Sequence, residues 1–333
     1  MTIAPLRIVI PGGSGQVGRL LARHFSAQGH AVTILTRRPE LESRLWHEVA
    51  WDGASRGPWI AELEGADVCI NMAGRSVNCR YTDRNRREIY DSRIVPTRLL
   101  NEAIAGLRTP PRIWMNASTA TIYRHSLSEP MNETTGELGG SESGAPDTWN
   151  FSIRVAKDWE RAFFETEIPG TRKIALRSAV TFSADEGGIF HVLSTLVRRG
   201  LGGANGSGKQ MVSWVHGEDF CRAVDFLIAN EPLAGVVNIA SPHPVVNIAS
   251  PHPVANREFM RALRRAWGVR VGLPAPAWLI EMGCFLLRTE SELVLKSRNV
   301  VPGRLEEAGF RFLFPDWPEA ARDLVARWRS KDH

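Results

Sequence analysis

The sequence predicts an α/β protein built on a doubly wound parallel sheet, followed by a smaller α+β lobe. Three observations point to it: a strand, glycine-rich turn and helix at the N-terminus; apolar, β-branched runs alternating with amphipathic stretches as far as Arg177; and the loss of that regularity afterwards. Strands that alternate with helices need right-handed crossovers, which cover both faces of the sheet. A ligand then belongs at the carboxyl ends of the strands.

Residues 6–10 form the first strand, ended by Pro11-Gly12-Gly13-Ser14-Gly15, and residues 17–25 have helical periodicity. Gly29 closes that helix as a C′ residue, and residues 31–36 supply the second strand, completing a βαβ unit. Further buried strands are expected at 67–73, 112–118 and 173–177, with helices at 83–105 and 151–165. Later come a glycine-rich stretch at 200–208, a helix at 218–229 and a strand at 236–240. The expected division is residues 1–176 for the first domain and 177–333 for the lobe, with parts of 213–253 returning to the first sheet. One segment, VVNIASPHP at 236–244, is repeated letter for letter at 245–253. Two copies are too few for a solenoid, and only one can fill a single strand position.

The chain has 333 residues, 43% of them hydrophobic and 23% charged, which is ordinary for a folded globular protein. Its net charge of +5 permits anionic ligands. The arginine runs at 84–87 and 261–265 have no interleaved aromatic platform, so they read as solvated faces and no nucleic-acid partner is expected. Cys69, Cys79, Cys221 and Cys284 form no CxxC pair and have no histidine company, which argues for reduced thiols, a cytoplasmic location and no metal. The N-terminus enters the first strand too soon for a signal segment. The apolar stretch at 273–287 is short and interrupted by Glu281, so no membrane span is expected.

Gly12, Gly15 and Gly18 form GxxGxxG between a strand and a helix, with Gly13, Ser14, Gln16 and Val17 completing the loop. That context is the Rossmann dinucleotide fingerprint: a tight turn, backbone N–H groups open to pyrophosphate, and close helix-to-strand packing. After the second strand, where NAD-specific folds place an acid for the ribose, stand Thr36, Arg37 and Arg38. A guanidinium can take a 2′-phosphate that an acid would repel. The expected cofactor is therefore NADP(H), with Arg37, directly after the strand, as the clamp.

With Asn71-Met72-Ala73-Gly74 and Ser118-Thr119-Ala120-Thr121-Ile122-Tyr123 added, the chain resembles the extended short-chain dehydrogenases/reductases. Trp51-Asp52, Asp91-Ser92-Arg93, Asp158-Trp159-Glu160, the stretch at 201–216 and the tail at 301–315 look like an NADP-binding epimerase-family branch with a short extra C-terminal domain, about residues 271–329 here. That resemblance implies a Rossmann domain and a nominal sugar-nucleotide epimerase or reductase. It places cofactor contacts on the Gly12 to Gly18 loop, Thr36, Arg37, Met72, Ala73, Glu88, Arg93 and Thr181, with Gly74 and Ser118 beside them in the same motifs. Glu88 and Arg93 can also be read as a helix surface pair.

Active members of the superfamily carry Tyr and Lys at i, i+4 on one helix, working with a Ser or Thr that maps here to Thr119. The Tyr moves the proton and the Lys lowers its pKa. Around Lys157 the residue four positions earlier is Ile153, so that pair is absent. Three readings follow: Tyr123, the nearest alternative, is the acid, although a packing role with a satisfied hydroxyl is the better reading of that residue; the acceptor is already activated; or the chain binds NADP(H) without turnover, as a redox sensor. Val212 stands where sugar-nucleotide enzymes often place a phosphate-binding Arg, leaving Lys209 as the substitute, and Trp214, Trp267 and Trp278 are candidates for an aromatic pocket. The expected function is an NADP(H)-binding oxidoreductase or epimerase-like protein. Its substrate is a small molecule the sequence does not name, and a homodimer is the macromolecular assembly left open.

Overall fold

The computed structural model describes residues 4–40, 45–241, 255–286 and 290–331. In chain order the first part holds β1 (Arg7–Pro11), α1 (Gln16–Ala27), β2 (Ala31–Thr36), β3 (His47–Ala50), β4 (Val68–Asn71), α2 (Asp83–Ala105), β5 (Ile113–Thr119), α3 (Asp147–Phe164) and β6 (Arg172–Ser178). Then follow β7 (Val180–Phe182), α4 (Ile189–Arg198), β8 (Trp214–His216), α5 (Gly217–Ala229), β9 (Gly235–Ile239), α6 (Asn256–Trp267), α7 (Ala277–Leu286), α8 (Glu292–Leu295), α9 (Gly303–Glu307) and α10 (Trp317–Lys331).

Seven strands form one parallel sheet in the order β3-β2-β1-β4-β5-β6-β9. Sequence order reverses between β1, which pairs Ile8 with Val68, and β4, so a crevice opens above their carboxyl ends. The period of two along each strand sorts side chains onto two faces. Ile8 and Ile10 pack under α1 and α5 with Leu21, Phe25, Phe220 and Val224. Val9 faces the other way, with Cys69 and Trp114, toward Leu100 and Ile104 of α2 and Phe163 of α3.

A second core lies in the lobe, where the two-stranded parallel sheet of β7 and β8 is covered by α4, α6 and α10. Trp317 of α10 stacks on Phe259 of α6 with ring centroids 4.1 Å apart, and its indole N–H donates to the Phe259 carbonyl at 2.9 Å. Trp214 and Trp267 belong to this core and Trp278 is exposed, so the three tryptophans do not build a ligand pocket.

The return of the chain to the first sheet is made by β9, which pairs with β6 and is drawn from the first VVNIASPHP copy. The second copy, 245–253, lies outside the described residues. The expected division at residue 176 falls inside β6. β3 carries no strand signature in the sequence, because Val49 is its only large apolar residue and its burial does not alternate. No helix among the described residues is long and apolar enough to cross a membrane.

Candidate dinucleotide cleft and active site

The turn between β1 and α1 is shaped by contacts that exclude side chains. Gly12 has φ +72°, and a Cβ there would lie 2.6 Å from Ala73 Cα. A Cβ on Gly18 would lie 2.5 Å from Gly13 Cα, so α1 packs directly on the turn. Gly13 similarly backs onto Ile34. Gly15 caps α1 in an extended conformation with no side-chain cap bond, which leaves the first-turn N–H groups facing the crevice. A backbone cradle of this kind suits a pyrophosphate.

Beyond it lies a cleft of about 870 Å³, lined by Gly12, Ser14, Gly15, Thr36, Arg37 and Met72 among others. Thr36 is buried and its hydroxyl donates to Ser14 Oγ at 3.0 Å, fixing the end of β2 against the turn. Arg37 is on the cleft wall; Arg38 is exposed and lines no described cleft, so it stands apart from the expected set. The far wall holds residues the sequence did not single out as contacts: Trp51, Asp52, Gly53 and Ala54 after β3, with Val95 and Pro96 of α2. The Asp52 carboxylate accepts the Ala54 and Ser55 N–H groups at 2.8 Å each, and those bonds lower its pKa.

Ala73, Gly74 and Glu88 also line this cleft. Glu88 is ion-paired with Arg75 at 2.5 Å and Arg84 at 2.8 Å. It does not pair with Arg93. That residue is half-buried, donates to the Ile89 and Arg75 carbonyls at 2.9 and 3.1 Å, and lies over the Trp159 ring. Burial lowers the Arg93 guanidinium to about 10. Among the described residues no carboxylate lies within ion-pair reach of it.

Arg93 and Met72 line a second cleft of about 430 Å³ at the tops of β4, β5 and β6, and Met72 lines both clefts. Gln16, Val17, Ser118, Thr119 and Thr181 line it, as does Phe220 of α5. The Gln16 amide donates to Ser183 Oγ at 2.8 Å, and Thr181 Oγ1 lies 3.2 Å from Ser178 Oγ. The Ser118 hydroxyl is already committed to Glu160 at 2.6 Å, within the buried Glu160–Arg177 pair. Thr119 is half-buried, its Oγ1 accepting the Thr121 N–H at 3.2 Å.

Tyr123 does not reach either cleft. Its ring is 2% exposed, its hydroxyl donates to Asn238 Oδ1 at 3.0 Å and accepts from Arg177 at 2.9 Å, and burial raises its pKa. Of the two readings of Tyr123, acid or packing residue with a satisfied hydroxyl, this geometry matches the second, since both its ring and its hydroxyl are engaged. Ile153 and Lys157 also face away, with Ile153 buried against Gly139 and Gly140. The face of α3 that lines the second cleft instead carries Ser152 and Ala156, themselves at i, i+4.

Around Ser152 stands a group that sequence reading missed entirely. Its hydroxyl donates to Glu292 Oε2 at 2.5 Å and lies 3.4 Å from the Tyr81 hydroxyl. Glu292 is 1% exposed, and its Oε1 has no hydrogen bond, with Arg298 Nη2 3.6 Å away. Burial pushes the Glu292 carboxyl above the ordinary carboxylate range against the pull of Arg298, and raises Tyr81 to about 12. All four line the second cleft. A separation of 140 residues between Ser152 and Glu292 leaves no local sequence signal of their meeting.

His216 caps α5, its Nδ1 accepting the Glu218 N–H at 3.2 Å, and no group of three or more metal-ligating side chains is found among the described residues. Lys209 is exposed and lines neither cleft, so it does not replace the arginine absent at Val212.

Strand order, glycine turn and a crevice at the reversal define the Rossmann-type class of α/β proteins. The chain belongs to the NAD dependent epimerase/dehydratase family, whose model matches residues 8–240; a second model, a domain of unknown function (DUF1731), matches residues 275–324. The epimerase family protein SDR39U1 of Bos taurus is 29% identical over 326 residues, covering 96% of this chain and 100% of that one. YfhF of Bacillus subtilis, another epimerase family protein, is 28% identical over 96% of this chain and 98% of its own. The crystal structure of human SDR39U1 (isoform2) with NADPH superposes with a TM-score of 0.81 at 26% identity, covering 96% of this chain and 99% of that one.

Proposed function

We propose that this chain binds NADP(H) along the two clefts and acts as an oxidoreductase on a small carbonyl or hydroxyl compound. One observation carries the reading: the glycine cradle opens on a cleft whose wall presents Arg37 where an acid would hold an unphosphorylated ribose. The NADPH in the human relative's structure supports it. Residues 1–176 would hold the dinucleotide and residues 177–333 would close the reacting end. The nicotinamide supplies or accepts a hydride when bound; the protein must bind it, orient it, exclude water and manage one proton. The second cleft, about 430 Å³ with apolar walls at Val77, Ile89 and Ile189, favours a small substrate over a sugar nucleotide. Free thiols at all four cysteines support a reducing, cytoplasmic setting. A redox sensor without turnover is the second reading, favoured by the position of Ile153 and Lys157 away from the cleft.

The test is Arg37→Asp, followed by nicotinamide fluorescence. NADPH affinity should fall by roughly 10- to 100-fold and NADH affinity much less, because charge-assisted phosphate contacts contribute about 1.5–3 kcal/mol. Equal losses for the two cofactors would remove Arg37 from the site; failure of the unaltered protein to bind either would overturn the reading.

A further inference from the structure

We propose that Ser152 is the proton-transfer group of the second cleft and that Glu292, brought in by the C-terminal segment, is the proton reservoir behind it. The argument rests on placement. Ser152 is half-buried on the cleft face of α3, one helical turn before Ala156, so it occupies a hydroxyl position on the face where the Tyr/Lys pair is lacking. Glu292 lies on the far side of that hydroxyl, 2.5 Å away, inside the segment matched by the model of unknown function. A buried carboxyl with one oxygen unpartnered is costly as a structural device. It is useful if the group exchanges a proton.

The groups facing Glu292 set its protonation. Arg298, the hydrogen bond from Ser152 and Lys296 pull its pKa down and Glu290 pushes it up, while the Tyr81 hydroxyl stands beyond Ser152. Burial outweighs the cations and the Ser152 hydrogen bond, so the carboxyl's pKa is raised above its ordinary value. In the protonated form it can donate to Ser152 Oγ and free the serine hydroxyl for the cleft.

The inference rests on the NADP(H) reading above. In the reducing direction the substrate carbonyl carbon takes a hydride from NADPH, and the C=O π pair moves to oxygen. That oxygen takes the Ser152 proton while Ser152 takes the Glu292 proton. Alcohol, NADP⁺ and the Glu292 carboxylate result, and the carboxylate regains a proton from solvent. Ser152 touches the substrate; Glu292 and Arg298 are positioning residues.

Infrared spectroscopy of the ligand-free protein, titrated from about pH 5 to about pH 9, tests the reservoir directly, since a buried Glu can titrate this high. A carboxylic-acid band should persist above the ordinary glutamate range and vanish in Glu292→Gln. With saturating NADP⁺ its titration should shift to lower pH than with NADPH, because only the oxidised nicotinamide carries a positive charge. Where a screen of small ketones and aldehydes finds turnover, Ser152→Ala and Glu292→Gln should each lower kcat by about 10²–10⁴-fold with NADPH affinity unchanged, and Glu292→Asp should recover part of it. Ser152→Ala keeps the Glu292–Arg298 pair, so it reads the chemistry even if Glu292→Gln folds poorly. An ionised carboxylate throughout the range, a titration indifferent to the cofactor's oxidation state, or unimpaired kcat in Ser152→Ala would overturn the proposal. Loss of NADPH binding by the unaltered protein would instead overturn the cofactor reading, while the ligand-free band would still report on Glu292.

Discussion

The two tyrosines near the second cleft, Tyr81 and Tyr123, show how burial separates chemistry from packing. Tyr81 keeps its hydroxyl on the cleft wall within reach of Ser152, whereas the Tyr123 hydroxyl is saturated by Asn238 and Arg177. Tyr123→Phe should therefore leave NADPH affinity intact. It strips one partner each from the Arg177 guanidinium and the Asn238 amide, both buried, and leaving such groups unsatisfied costs about 1–3 kcal/mol. Urea denaturation should show that loss. A fall in NADPH affinity without a fall in stability would show that the Tyr123 side chain reaches the bound cofactor after all. What could be read in advance at this scale was the part carried by contiguous residues: Gly12 to Gly18, Thr36 and Arg37, Met72 to Gly74 all line or shape the crevice. Ser152, Glu292 and Arg298 come together only through tertiary packing, and no spacing in the chain announces them.

At the scale of elements, the legible strands were those buried on both faces. β1, β2, β4, β5, β6 and β9 each lie within two residues of their expected position because each carries a run of large apolar, mostly buried residues, including β9 at the far edge of the sheet; the polar residues among them, such as Asn116 and Arg177, are buried with hydrogen-bond partners. β3 at the sheet edge and the three-residue β7 and β8 lack that signature, since partial exposure or shortness removes the pattern. The βα unit that opens the fold is held by space, not only by turn geometry. Gly18→Ala would push α1 away from the glycine turn, since the added carbon would meet Gly13 Cα at 2.5 Å. Overpacking of this kind costs typically about 1–3 kcal/mol. Gly15→Ala is the contrast, its added carbon finding nothing nearer than 3.6 Å. Thermal unfolding should rank Gly18→Ala well below Gly15→Ala. The reverse order would mean that the close approach of α1 to the turn does not limit stability.

The whole molecule is closed by its C-terminal segment, which is stitched to the loop after β5. Lys296 Nζ donates to the Thr121 carbonyl at 3.0 Å, Ser297 N donates to His125 Nδ1 at 3.2 Å, and Met131 N donates to the Asn299 carbonyl at 2.7 Å. These bonds seat Glu292 and Arg298 over the second cleft, so docking of the segment and completion of the candidate site are one event. Lys296 makes that docking sensitive to pH. Its side chain is 2% exposed, and burial, helped by the Arg298 charge and opposed by Glu292 and Glu142, lowers its pKa from 10.5 to about 8. A lysine with a depressed folded-state pKa favours the folded state above its unfolded value, and that contribution is lost as pH falls through the folded value. Below about 8 both states carry the proton and the contribution is flat. Lys296→Met removes the titration while keeping most of the volume. The stability difference between the variant and the unaltered protein should therefore be constant below about pH 8 and should shrink in the variant's disfavour as pH rises toward 10.5, by at most on the order of 3 kcal/mol. Denaturant titrations of both proteins across that window measure it. A difference that stays flat throughout would mean that Lys296 titrates alike in the folded and unfolded chains, and that the segment docks without desolvating its ammonium.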